Sequence, residues 1–201
     1  MTVRTHTMAA LALIIAMMTG CTVFPDREPP RVMDIPLLDT TGTTDQRIDK
    51  TLRVDTPYAA DPFDSSGILT KPSPTEYQVY GGVRWRDTAP VLIREVMIGA
   101  LRQDGRFAGV VNETSPSTSD LTLTSDLYGF HSETDADGDR VVINLYGQLL
   151  DNQTRKTLCT GNFQATSPAA DGEISAVVTA FGDASADLLQ QMQHWLADCL
   201  D

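Results

Sequence analysis

Asp135-Ala136-Asp137-Gly138-Asp139 is the first group of residues in the sequence whose types and spacing could do chemistry. Oxygen ligands at alternate positions suit calcium, but an EF-hand loop also needs glycine at its sixth place and glutamate at its twelfth. Counted from Asp135 those places hold Arg140 and Tyr146. The cluster therefore reads as a turn, which Asp and Gly build readily. Zinc has no better claim. His131 and His194 lie far apart and lack Cys or acidic neighbours at ligand spacing. His131 reads as a strand surface residue and His194 as a neighbour of the core stripe of the last helix. Neither a Gly-x-Ser-x-Gly elbow nor a phosphate-binding glycine loop occurs. The sequence thus predicts no catalytic residues, no metal and no cofactor.

Cysteine carries the remaining chemistry. Arg4 and an unbroken apolar run, Met8–Met18, precede Met18-Thr19-Gly20-Cys21. The run is shorter than the ~20 apolar residues that span a bilayer, and matches the core of an export signal. The four residues that end it resemble the lipobox of bacterial lipoproteins, which makes Cys21 the expected lipid-attachment site. The bland alternative is an ordinary secretory peptide. Cleavage there leaves residues 21–201. The leader removes one basic residue and no acid, so a net charge of −12 becomes −13. Such a chain is repelled by nucleic acid and by anionic lipid headgroups, so no nucleic-acid partner is expected and membrane attachment falls to the lipid. Thr rather than Asp at residue 22 resembles Gram-negative lipoproteins sent to the outer membrane, facing the periplasm. Cys159 and Cys199 remain, an even pair in an oxidising compartment.

The elements that would position these residues follow from periodicity. Residues 21–31 form a tether held extended by Pro25, Pro29 and Pro30, and residues 32–201 a single domain. Short strands are predicted over Val32–Leu38 and Thr51–Val54. Asp61–Pro74 reads as a long loop with at most a short element at Ile68–Leu69. Glu76–Trp85 reads as one strand, with Tyr77, Val79, Val83 and Trp85 on one face and Tyr80 on the other. A helix capped at Asp87 or Thr88 carries Leu92, Ile93, Val96, Met97, Ala100 and Leu101 as one stripe and stops at Gly105. Phe107–Val111 follows as a strand. The alternations Leu121–Leu127, Val141–Leu149 and Thr157–Ala165 then predict a meander. The last helix, about Glu173–Cys199, bears Val177, Phe181, Ala184, Leu188, Met192, Trp195 and Cys199 on one stripe, with Gly182 marking a bend or a close packing contact. The predicted fold is α+β: a mainly antiparallel sheet with both helices on one face. Cys159 shares a strand face with Phe163, and Cys199 lies on the helix stripe. A bridge between them would close a loop of about 40 residues, worth roughly 4 kcal/mol; the alternative is two separate buried thiols. Ile68, Leu69, Tyr77 and Tyr80 are candidates for contact with lipid or a partner.

One set of residues resembles a known family. Leu52-Arg53-Val54-x-x-Pro57, Asp64-x-x-x-Ile68, Tyr77-x-x-Tyr80-x-x-x-x-Trp85-x-Asp87-x-x-Pro90 and Leu101-x-x-x-Gly105-x-Phe107 together resemble the ABC-type transport auxiliary lipoproteins. The likeness runs from the lipobox to the final helix and is densest over Tyr77–Phe107. It departs at Val32-Met33, where the family tends to have Tyr. The resemblance implies an outer-membrane lipoprotein that works with an MCE-domain protein and an inner-membrane ABC permease and ATPase to move lipid across the periplasm. It implies partner binding rather than catalysis. The rival readings are an assembly factor of another outer-membrane machine and an anchored periplasmic hydrolase.

Overall fold

A computed structural model describes residues 28–36, 47–135 and 138–200. The leader, Cys21, most of the tether and Thr40–Gln46 lie outside the described residues. No described helix is long and apolar enough to cross a membrane.

The elements run β1 (Arg31–Met33), β2 (Ile48–Val54), β3 (Leu69–Ser73), β4 (Glu76–Val79), β5 (Val83–Trp85), α1 (Ala89–Asp104), β6 (Phe107–Asn112), β7 (Leu121–Asp135), β8 (Gly138–Asp151), β9 (Lys156–Pro168) and α2 (Ile174–Leu200). The fold is α+β, with a seven-stranded sheet beside the two-stranded pair β1–β5. The meander β7–β8–β9 is antiparallel as expected. Elsewhere the sheet is mixed. β8 occupies one edge of β7 along its length, and the other edge is shared. β2 lies parallel to its start, with Leu52 opposite Leu121. Tyr58 bridges to Asp126, and β3 lies parallel to its end, with Thr70 opposite Ser132.

Three predicted boundaries are corrected. The expected loop over Asp61–Pro74 contains the five-residue strand β3. Glu76–Trp85 is two strands, because the turn at Gly81–Gly82 resets the alternation. Val83 and Trp85 are buried, whereas Tyr77 and Val79 are exposed. The first strand stops at Met33.

Both helices cover one face. On α1 the predicted stripe is buried throughout, and Gly105 caps it in the left-handed conformation (φ 68°). Thr88 makes no side-chain cap; instead its own N–H donates to Asp87 Oδ1 (2.8 Å). The buried stripe of α2 meets Leu145, Leu149, Phe163 and Ala165 of the meander in a continuous core. Trp85, Phe130 and Phe181 centre that core, with ring centroids 4.5–5.9 Å apart. The N-terminal strap crosses this layer. Ile35 is buried, and a Cβ on Gly182 would stand 2.6 Å from Pro36 Cγ, so the helix needs glycine there for close packing. Arg106 donates to the Gln193 carbonyl (3.3 Å) and faces Asp104 at 3.3 Å, tying the end of α1 to α2.

Candidate functional site

With both helices on one side, the opposite face of the sheet is open. Strand alternation assigns it Thr124, Asp126, Asn144, Tyr146, Gln148, Asn162 and Gln164, a surface almost free of charge at its middle. Asp126 is the exception. It is exposed and has no ion-pair partner among the described residues. Tyr146 stands opposite it on β8 and Tyr58 beside it on the other flank. The Tyr58 backbone is fixed by N–H donation to the Ser125 carbonyl (2.8 Å) and by accepting the Leu127 N–H (2.7 Å). Tyr128 completes the group through a β-bulge. Leu127 pairs with Leu145 and Gly129 with Asn144, so Tyr128 is the extra residue. Glycine at 129 lets Asn144 pack close, since a Cβ there would stand 2.6 Å from Asn144 Nδ2. Tyr58 is 70% and Tyr128 49% exposed. Tyrosine offers broad contact area at low entropic cost, with a hydroxyl for hydrogen bonding.

At the β3–β4 end the same face is partly roofed. The chain turns through a cis Asp61–Pro62 bond and brings Phe63 edge-on to Tyr77 (5.4 Å), which stands edge-on to His131 (5.2 Å). His131 is therefore buried, not a surface residue as predicted. Burial holds its pKa below the ordinary value of 6.5, outweighing Glu133, whose carboxylate lies 3.6 Å from Nε2. The Nδ1 atom is buried with no hydrogen-bond partner among the described residues, and Glu133 is engaged by Arg140 at 2.6 Å. This arrangement favours a neutral imidazole.

The predicted contact residues separate. Ile68 and Leu69 belong to the core, at 0% and 3% exposure, and present no surface. Tyr80 packs against the core and shares a 3.0 Å hydrogen bond with Ser132. Tyr77 alone of the four is on the surface. Cys159 and Cys199 form the disulfide, with Cα atoms 6.1 Å apart, and it pins the end of α2 to β9. Among the described residues no group of His, Cys, Asp and Glu is arranged to hold a metal ion. Sequence reasoning missed Tyr58 and Tyr128. The signal for Tyr128 was present: inward residues Leu127 and Phe130 are three apart, which a strand accommodates only by a bulge.

A family model described as the ABC-type transport auxiliary lipoprotein component matches residues 37–193. A comparison with curated proteins gives no match. Among solved structures, a Xanthomonas campestris protein is similar at 23% identity and TM-score 0.74, over 84% of this chain and 95% of its own. An uncharacterized protein is similar at 18% identity and TM-score 0.66, over 84% and 99%. A hypothetical protein of Chlamydia trachomatis shares the fold at 6% identity and TM-score 0.51, over 74% and 96%.

Proposed function

The chain belongs to the ABC-type transport auxiliary lipoprotein family, and from that premise we propose that it is a lipid-anchored docking subunit of an MCE-type lipid transport system. Lipid on Cys21 holds it at the outer membrane, on the periplasmic side. The domain binds the MCE-domain protein, which an inner-membrane permease and ATPase drive. The role is binding, not catalysis. The observation that carries this reading is the open sheet face, where Tyr58, Tyr128 and Tyr146 surround an unpaired Asp126 while the other face is filled by helices. Aromatic side chains on a rigid, nearly uncharged platform are what a protein interface uses at its centre.

The test is site-specific photocrosslinking in intact membranes. A photoreactive residue in place of Tyr58 or Tyr128 is expected to capture an MCE-domain protein. The same probe at Thr179, on the helix layer, is expected to capture nothing. Capture from Thr179 alone, or no MCE-domain protein from any position, refutes the docking assignment. Mass spectrometry of the mature N-terminus is expected to find diacylglycerol on Cys21, and an unmodified thiol there refutes the anchor.

A further inference from the structure

Among the described residues three strands of the main sheet end it with a free edge: β4, β6 and β9. Bare strand edges invite pairing with other chains and are commonly covered. Two of the three are covered from the helix layer. On β9, Trp195 Nε1 donates to the Thr160 carbonyl (3.1 Å) and Gln191 Nε2 to the Gln164 carbonyl (3.0 Å). On β6, Arg102 Nε donates to the Val110 carbonyl (3.0 Å).

Among the described residues β4 has no such cover. Tyr80 N–H donates to the Ile68 carbonyl (2.9 Å) and Gln78 pairs with Thr70, so these residues turn their backbone groups toward β3. Alternation then turns the N–H and C=O of Tyr77 and Val79 outward. The same two residues carry exposed apolar side chains, Tyr77 at 37% and Val79 at 58%. All four residues of β4 are exposed. The other side of the strand bears Glu76 and Gln78. Glu76 forms no ion pair among the described residues, and its carboxylate accepts only from the Gln78 side chain (2.7 Å).

We propose that β4 is an augmentation edge that takes up an extended segment of a partner protein in which apolar and basic residues alternate. A strand added about 4.8 Å beyond β4 places every second side chain beside Tyr77 and Val79, and the others beside Glu76 and Gln78. Apolar residues fit the first row and a cation fits the second, on a chain whose net charge is −12. This inference stands apart from the tyrosine platform around Asp126 and does not depend on which machine the protein serves.

The probe is a blocked peptide of alternating valine and lysine, with a valine–glutamate peptide as its counterpart, added to the purified full chain. Amide exchange and fluorescence anisotropy are the readouts. The lysine peptide is expected to slow exchange at the Tyr77 and Val79 amides, and to bind about tenfold or more tightly than the glutamate peptide. Val79→Pro removes only an outward N–H, which an edge strand tolerates, and is expected to abolish binding. Val79→Thr, which keeps the N–H, is expected to retain it. Glu76→Lys, on the exposed side of the strand, is expected to invert the peptide preference, and this reads out independently of whether the proline variant folds. Unchanged exchange at the two amides with the peptide at about 1 mM, or wild-type binding by a folded Val79→Pro, overturns the proposal. Self-association of the chain abolished by Val79→Pro, without peptide binding, also overturns it, and assigns the edge to a second copy.

Discussion

Replacing both Cys159 and Cys199 with serine removes a cross-link between residues 40 apart in the chain. In the chain-entropy model the unfolded state regains about 13 cal/mol/K for a loop of that length, which is about 4 kcal/mol at 25 °C. The native state changes little by comparison. Trp195 still lies against Phe163, with ring centroids 5.3 Å apart, and Leu196 stays buried one turn before Cys199. Urea unfolding of the oxidised parent and the double variant measures the difference directly. The expected result is a loss of about 3–4 kcal/mol, or a melting temperature lower by roughly 10 °C in a domain of this size. The m-value should rise, because an uncrosslinked chain exposes more surface when unfolded. A loss below about 1 kcal/mol refutes the reasoning, since it would mean that the unfolded chain gains almost no freedom when the link is cut.

Gly182→Ala sets two effects against each other. Alanine favours a helix by about 1 kcal/mol, but its Cβ meets Pro36 at 2.6 Å and must displace the strap, at a cost of about 1–3 kcal/mol. Net destabilisation is expected in thermal melts, and pairing the change with Pro36→Ala should recover most of it. Arg106→Ala leaves Asp104, only 7% exposed, without its counter-charge, and should cost about 3–5 kcal/mol in denaturant unfolding. The two charges lie 3.3 Å apart but without hydrogen-bond geometry at Nε. Replacing both by apolar residues of similar volume should therefore cost much less than removing one. His131, with its folded pKa held below 6.5 by burial, contributes stability that is complete above that value and is lost as pH falls below it, because the unfolded chain takes up the proton first. A His131→Phe variant should flatten the stability profile between about pH 6.5 and 5, measured by melting temperature across that range.

Much of this architecture is legible in the sequence, and the exceptions have physical causes. The α1 stripe from Leu92 to Leu101 and the α2 stripe from Val177 to Cys199 repeat with the helical period, which neither Gly99 nor Gly182 conceals. The meander alternates cleanly because one face of each strand is packed on the core. β3 was hidden because Gly67, Pro72 and Pro74 signal a loop, yet proline is tolerated at the irregular register between Thr70 and Ser73. The shared edge of β7 has no sequence signature at all. Parallel pairing of Leu52 with Leu121 is a long-range choice made by burial, not by local periodicity. Of the candidate contact residues, Tyr77 reaches the surface, whereas Ile68 and Leu69 are buried; an apolar pair in an apparent loop looks exposed until its strand is found. Tyr58 sits after Pro57 in irregular chain, where no pattern reports which way a side chain points.

The double occupancy of one side of β7 also dictates an order of events as the chain emerges. Among the described residues β2 pairs only with β6 and β7, so no strand before Phe107 offers it a partner. β3 can pair early with β4, but its seat on Ser132 and Glu133 arrives later still. The three long C-terminal strands, by contrast, are joined by short turns and can zip together locally. The segment from β2 to β4 therefore waits for its full set of sheet partners until β7 has been made. A nascent fragment that ends before Leu121 should be captured by chaperones, whereas one extending past Pro168 should begin to acquire protection in the meander.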